Sequence, residues 1–231
     1  MYHPSPRCRV RLFSCEAVVE VCTPAFQEIQ MGSITLSILY DTLLKNKDES
    51  KKLEGVIKKI ISSKGPIHAL INNAANDDRH TTDQVDEKYW QNRMDVNLKH
   101  YFFAAKAVVN RMKQMKRGSI VNLSSVSWML GEGDKVVYET AKSAVVGLTR
   151  SFAQEYGKYN IRTNSVIPGS IATERQIKHW LTPKYKKLIL DSQALKRQLK
   201  PNDVAQLVLF LASDQSSGCT KQSFIVDGGI T

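Results

Sequence analysis

SIVNLSSVSWMLGEGDKVVYETAKSAVVG, residues 119–147, is the stretch from which the rest of the chain is read. Its apolar opening at Ile120, Val121 and Leu123 predicts a short buried strand. A loop holding Gly131 and Gly133 follows, and a helix is expected to begin at Tyr138. Lys142 stands one helical turn further on, so the phenol and the ammonium share a helical face. Ser125 sits where the strand ends and can fold back towards that face.

The chemistry open to this trio is narrow. A free tyrosine ionises near ~10, and a neighbouring cation favours the phenolate, so Lys142 is expected to make Tyr138 usable as a base. The Ser125 hydroxyl can hold a substrate oxygen while Tyr138 takes its proton. A hydride then remains, and no side chain accepts one, so the chemistry calls for a redox cofactor.

Working outward, further residues fall into order around the trio: Asn72-Asn73-Ala74-Ala75 after a strand, Asn97 in a helix, Pro168-Gly169 followed by Thr173, and Val226-Asp227-Gly228-Gly229 near the end. A Tyr-x-x-x-Lys spacing alone occurs by chance in many helices; the whole set in this order does not. The set resembles the short-chain dehydrogenase/reductase family over residues 34–231. NDDRH (76–80), SWMLG (127–131), ERQ (174–176), WLTP (180–183) and LVLFLASD (207–214) are similar to bacterial sugar 1-dehydrogenases of the D-xylose dehydrogenase type.

That resemblance implies an α/β fold, a Rossmann-like, doubly wound and mostly parallel sheet with helices on both faces. It implies Asn97, Ser125, Tyr138 and Lys142 as the catalytic set. Asp41, Asn73, Ala74, Tyr138, Lys142, Pro168, Gly169, Ile171 and Thr173 would bind NAD, with NADP not excluded. Asn76, Ser125, Trp128, Tyr138 and Gln176 would meet the substrate, an aldose such as D-xylose, oxidised at its anomeric carbon to a lactone. It further implies a homotetramer or homodimer built on the helix after Tyr138 and the long helix before it. Several of these residues have plainer roles open to them. Asp41 suits a helix cap or loop, Asn97 a core hydrogen bond, Trp128 a hydrophobic plug, and Gln176 and Trp180 the packing of a lid over residues 175–200.

The first part of the chain departs from this pattern. A Rossmann domain of the family opens with a strand and a glycine-rich TGxxxGxG turn, whose amides meet the cofactor pyrophosphate at a helix N-terminus. Here Gly32 is the single glycine before Gly55. Residues 1–32 are expected to form an atypical segment, irregular with one short strand, ahead of a Rossmann-like domain over 33–231, and the sheet is expected to be incomplete or altered at its amino end. A truncated or replaced amino-terminal βαβ unit would account for this. It also opens a rival reading, a catalytically silent scaffold of the same fold that cannot bind cofactor.

The elements between are regular. Residues 33–40 alternate as a strand. Leu53, Val56, Ile57, Ile60 and Ile61 form a helical stripe stopped by Gly65-Pro66, and residues 67–71 are a buried strand. A long helix over roughly 86–117, broken near Asp95, is expected to pack Trp90, Met94, Leu98, Phe102, Ala105, Val108, Met112 and Met115. Residues 161–167 and 223–226 predict two more strands, with a helix capped by Asn202 between them. His80 reads as a hydrogen-bonding surface histidine.

Composition excludes several classes. Net charge is +11, yet the lysines are scattered on helix faces with no aromatic-interleaved basic groove, so no nucleic-acid partner is expected. No run of apolar residues is long enough to span a membrane, and a cytoplasmic location follows as the default. Cys8, Cys15, Cys22 and Cys219 show neither disulfide density nor metal-ligand spacing, so no metal is expected.

Overall fold

The structure of the chain is a computed structural model that describes residues 17–21 and 49–231. Five strands form one sheet in chain order: β1 (Ala17–Val21), β2 (Ile67–Asn72), β3 (Gly118–Leu123), β4 (Ile161–Pro168) and β5 (Ser223–Val226). Every neighbouring pair is parallel. This is the Rossmann-like α/β sheet that the sequence predicts. The strand expected at residues 33–40, Asp41 and the boundary at residue 32 lie outside the described residues. Edge strand β1 falls within the stretch expected to hold one short strand.

Parallel strands are covered on both faces, and side chains alternate between them. Leu70 and Ile120 point into one core with Leu53, Ile57 and Ile60 of helix α1 (Glu49–Lys64). Ala69, Ile71, Val121, Leu123 and Val166 point the other way, onto Val204 and Leu211 of the helix Pro201–Ala212. Each such buried aliphatic contributes about 1.5–3 kcal/mol. Helix α1 ends as its sequence predicts. Gly65 adopts a φ of +93°, the left-handed conformation that turns the chain out of a helix.

The expected break near Asp95 is a change of helix type. Helix α2 (Glu87–Met94) runs into one wide π turn, Asp95–Lys99, and continues as α3 (His100–Met115). The wide turn rotates the buried face. Val96, Asn97, Tyr101, Ala104, Ala105, Val108 and Met112 go inside, whereas Trp90 and Phe102, expected to pack, are 42% and 44% exposed. A constant helical period carried across the break mis-phases the aromatic positions.

A single turn, α4 (Ser127–Leu130), precedes α5 (Val136–Tyr156), which begins two residues before Tyr138. Beyond β4 come α6 (Glu174–His179), α7 (Pro183–Ser192) and α8 (Pro201–Ala212). Asp203, rather than the expected Asn202, caps α8, because Pro201 occupies its first turn and the Asp203 carboxylate accepts the Lys200 N–H at 2.7 Å. Among the described residues no helix is long and apolar enough to cross a membrane.

Candidate active site

β2, β3 and β4 end together at Asn72, Leu123 and Pro168, and the segments that follow them open a cleft of about 220 Å³. Open α/β sheets bind ligands at these carboxyl ends. Asn73, Ser125, Tyr138, Lys142, Pro168, Gly169, Ile171, Thr173 and Gln176 all line the cleft. Nine of the residues expected at the site are therefore gathered from three strand ends, the segments after them and one helix.

Why α5 presents its two residues here follows from its anchors. Asn72 Nδ2 donates to Asn122 Oδ1 across β2 and β3 at 2.8 Å, and Asn122 Nδ2 donates to Thr149 Oγ1 on α5 at 3.0 Å. Ser124 Oγ donates to the Lys142 carbonyl at 2.7 Å. The helix is thus tied to the sheet by buried polar bonds that fix its rotation. Lys142, 1% exposed, lies with Nζ 5.7 Å from the centre of the Tyr138 ring. Ser125 and Tyr138 face the same cleft, with Ser125 Oγ 3.0 Å from Ser127 Oγ and accepting the Ser127 N–H at 3.2 Å.

Electrostatics separates the two groups. Burial pushes the Tyr138 phenol well above its usual range, the Asp77 carboxylate adds to the rise, and the Ser125 hydroxyl opposes it. Burial likewise pushes the Lys142 ammonium down to about 7, against a smaller upward pull from Asp77. The expected acidification of Tyr138 by Lys142 is therefore absent from the chain by itself. Desolvation dominates both groups, and neither figures among the causes of the other's shift.

Lys142 has a partner that the sequence reading missed. Its Nζ donates to Tyr101 Oη at 2.8 Å and to the Leu123 carbonyl at 2.7 Å, while Tyr101 Oη donates to that same carbonyl at 2.9 Å. A signal existed, since Tyr101 follows Asn97 by one helical turn and shares its face.

Asn97 is fully buried, but both of its amide atoms are occupied elsewhere. Oδ1 accepts the Asn76 N–H at 2.8 Å and Nδ2 donates to the Asn76 carbonyl at 3.1 Å. Its side chain clamps the loop after β2, the plain core hydrogen bond weighed above, and makes no direct hydrogen bond to Lys142. Asn76 folds its own Oδ1 onto the Asp78 N–H at 2.9 Å. Trp128 donates its indole N–H to Ser124 Oγ at 3.2 Å. Asn76, Trp128 and the buried Ala74 are not among the residues lining the cleft.

His80 is buried, not a surface group. Its Nε2 accepts the Val137 N–H in the first turn of α5 at 3.2 Å, and Nδ1 lies 3.1 Å from the Asp78 carbonyl and 3.0 Å from Tyr89 Oη. Ion pairs ring the mouth of the cleft. Arg79 meets Asp134 at 2.9 Å, Arg175 meets Asp78 at 2.6 Å, and buried Lys135 meets both Glu132 and Asp134. Burial, helped by Arg79, pushes Lys135 down to about 8. Thr173 Oγ1 accepts the Gln176 N–H at 3.2 Å and so caps α6 at the edge of the cleft.

The described residues fit the nicotinamide half of a dinucleotide, with Lys142 and the Pro168-to-Thr173 backbone on the wall where that half would lie. Residues 22–48, which follow β1 and would meet the other half, lie outside the described residues, and their sequence holds no glycine-rich turn. Among the described residues no group of His, Cys, Asp and Glu side chains is arranged to hold a metal ion.

Comparison with known proteins agrees with this geometry. A family model described as enoyl-(acyl carrier protein) reductase matches residues 46–231. D-xylose 1-dehydrogenase of Caulobacter vibrioides is 44% identical over 173 residues, spanning 75% of this chain and 69% of that protein. Among solved structures, a 4-hydroxyisoleucine dehydrogenase complexed with NADH has a TM-score of 0.73 at 29% identity, covering 86% of this chain and 80% of its own. A gluconate 5-dehydrogenase from Burkholderia cenocepacia, in complex with NADP and tartrate, has a TM-score of 0.74 at 27% identity, covering 78% of this chain and 71% of its own. The chain belongs to the short-chain dehydrogenase/reductase family, whose members are NAD(P)-dependent dehydrogenases acting on CH–OH groups.

Proposed function

We propose that this chain oxidises the anomeric hydroxyl of an aldose, a pentose such as D-xylose, to the lactone, with NAD as acceptor and NADP not excluded. The observation that carries the reading is Ser125 and Tyr138 together in a cleft at three strand ends, with Lys142 buried one turn further along α5. The similarity to D-xylose 1-dehydrogenase supports the choice of substrate.

In this mechanism the Ser125 hydroxyl donates to the sugar's anomeric oxygen and holds it against Tyr138. Tyr138 Oη removes the hydroxyl proton as hydride leaves the same carbon. When bound, an oxidised nicotinamide would supply the hydride acceptor and a positive charge. Lys142 holds its proton at Nζ between Tyr101 Oη and the Leu123 carbonyl, and its charged form favours the phenolate. Asn97 acts by fixing the loop at Asn76. Pro168, Gly169, Ile171 and Thr173, with Asn73, would hold the cofactor. Gln176 would meet the sugar from the lid.

The enzyme would work in the cytoplasm as a homodimer or homotetramer joined through α3 and α5. Phe102 supports that arrangement, being 44% exposed and 5.8 Å from Phe152 of α5 between ring centroids. Nicotinamide reduction measured by absorbance over a panel of pentoses and hexoses, with Tyr138→Phe as control, tests the reading. Turnover of an aldose that Tyr138→Phe abolishes is expected. Binding of neither NAD nor NADP at millimolar concentration would favour the silent scaffold suggested by the sequence after β1.

A further inference from the structure

Two stretches almost a hundred residues apart meet over the cleft. Gln176 Nε2 donates to Asp77 Oδ2 at 2.6 Å, and Arg175 Nη2 donates to Asp78 Oδ1 at 2.6 Å. The Arg79 guanidinium lies 5.2 Å from the centre of the Trp180 ring. Asp77 and Gln176 both line the cleft that contains Ser125 and Tyr138. The Asp77 side chain is 19% exposed, and its charge acts on Tyr138, Lys142 and Lys135 together, as a carboxylate facing into that cleft would.

The surroundings say what such a carboxylate can recognise. Arg79 is matched by Glu132 and Asp134, Lys135 by the same two, and Arg175 by Asp77 and Asp78. With Arg79, Lys135 and Arg175 matched by carboxylates and Lys142 bonded to Tyr101 and the Leu123 carbonyl, the cleft has little to offer a carboxylate or phosphate and much to offer neutral hydroxyls. An ionised carboxylate only accepts, with about four lone-pair sites. Gln176 and Arg175 use part of that capacity.

We infer that Asp77, held in place by Gln176, determines specificity for the hydroxyl next to the reacting carbon. The inference rests on the aldose reading above. When Ser125 and Tyr138 engage the anomeric hydroxyl, its two neighbours on the ring are the ring oxygen, which has no proton to give, and the C2 hydroxyl, which donates to Asp77. A sugar lacking that hydroxyl leaves a charged acceptor short of a partner in a half-buried place, which costs more than losing a neutral contact. If Asp77 served only to latch the lid, its removal would weaken every sugar alike.

Calorimetric binding to the full chain in the presence of NADH, where the aldose is not consumed, separates these roles. The probes are D-xylose with 2-deoxy-D-xylose, and D-glucose with 2-deoxy-D-glucose. The unaltered chain is expected to prefer the hydroxylated member of at least one pair by about 10- to 100-fold. The near-isosteric Asp77→Asn should bring that ratio to within about threefold of one, while Arg175→Ala weakens both members equally and leaves the ratio intact. An unchanged ratio in Asp77→Asn overturns the inference. Should that variant fail to fold by circular dichroism, Gln176→Ala decides, with a ratio lowered at least about threefold in support and an unaltered one against. Selective sugar binding without any cofactor reduction sinks the oxidation reading and leaves Asp77 its role. Turnover of aldoses with no C2 preference sinks Asp77 alone, and binding of none of the four sugars overturns both.

Discussion

The floor of the cleft and its rim are built by opposite means. On the floor, Lys142, Tyr101 and the Leu123 carbonyl form a buried knot, with Ser125 and Tyr138 lining the same cleft. On the rim, Asp78, Arg79, Glu132, Asp134 and Arg175 form ion pairs whose side chains are 20–54% exposed. Burial sets the floor's proton affinities, and solvent screens the rim. Under the proposed function, the contrast would leave proton transfer to a desolvated base and the admission of substrate to a charged edge that can open at little cost.

The sharpest way to break this contrast is to remove the base. Tyr138→Phe should cut kcat by about 10²- to 10⁴-fold while cofactor binding, read by nicotinamide fluorescence, stays within a few-fold. In the unaltered chain kcat/KM should rise with pH, because burial and Asp77 hold the phenol above its ordinary range. Asp77→Asn should move that rise to lower pH. A pH profile indifferent to Asp77 would place the rate-limiting proton elsewhere.

Lys142→Met tests the floor from the side of stability. Like Tyr138→Phe it should cut turnover steeply, yet it should stabilise the fold by about 1–3 kcal/mol at pH 7, since it removes a buried ammonium. The sign follows from the depressed value. With Lys142 at about 7 when folded and near the ordinary 10.5 when unfolded, the unfolded chain binds more protons between those limits, so wild-type stability rises with pH across that window. The variant's advantage should therefore be greatest at pH 7 and below and shrink as pH approaches 10.5, which urea titrations at several pH values would measure.

Asn97→Ala falls between floor and rim. It frees the Asn76 N–H and carbonyl and should destabilise by about 1–3 kcal/mol, with the loss of order after β2 visible as faster hydrogen exchange there. Arg79→Met is the smallest change. Its partners are partly solvated, so stability should move by no more than about 1 kcal/mol, and an effect on KM larger than on kcat would mark it as part of the rim.

Much of the floor was legible in the chain. The turn between Tyr138 and Lys142, a strand ending shortly before Ser125 and the break near Asp95 are local patterns, and each holds in the structure. The phase of the long helix was not legible, because a single π turn rotates every residue beyond it and turned Phe102 outward while Tyr101 went in. The scaffold work of Trp128, Asn76 and His80 depends on partners that periodicity cannot name.

What the sequence determined by itself are the features that depend on near neighbours: alternating and helical apolar spacing, the stop at Gly65-Pro66, and the pairing of a phenol with an ammonium one turn away. Only the tertiary structure decided what comes from far along the chain, namely Tyr101 on Lys142, Gln176 on Asp77 and Val137 on His80. It also decided the proton affinities. Spacing brings two charges together, but how much water is removed around them is settled only once the sheet and its helices have closed.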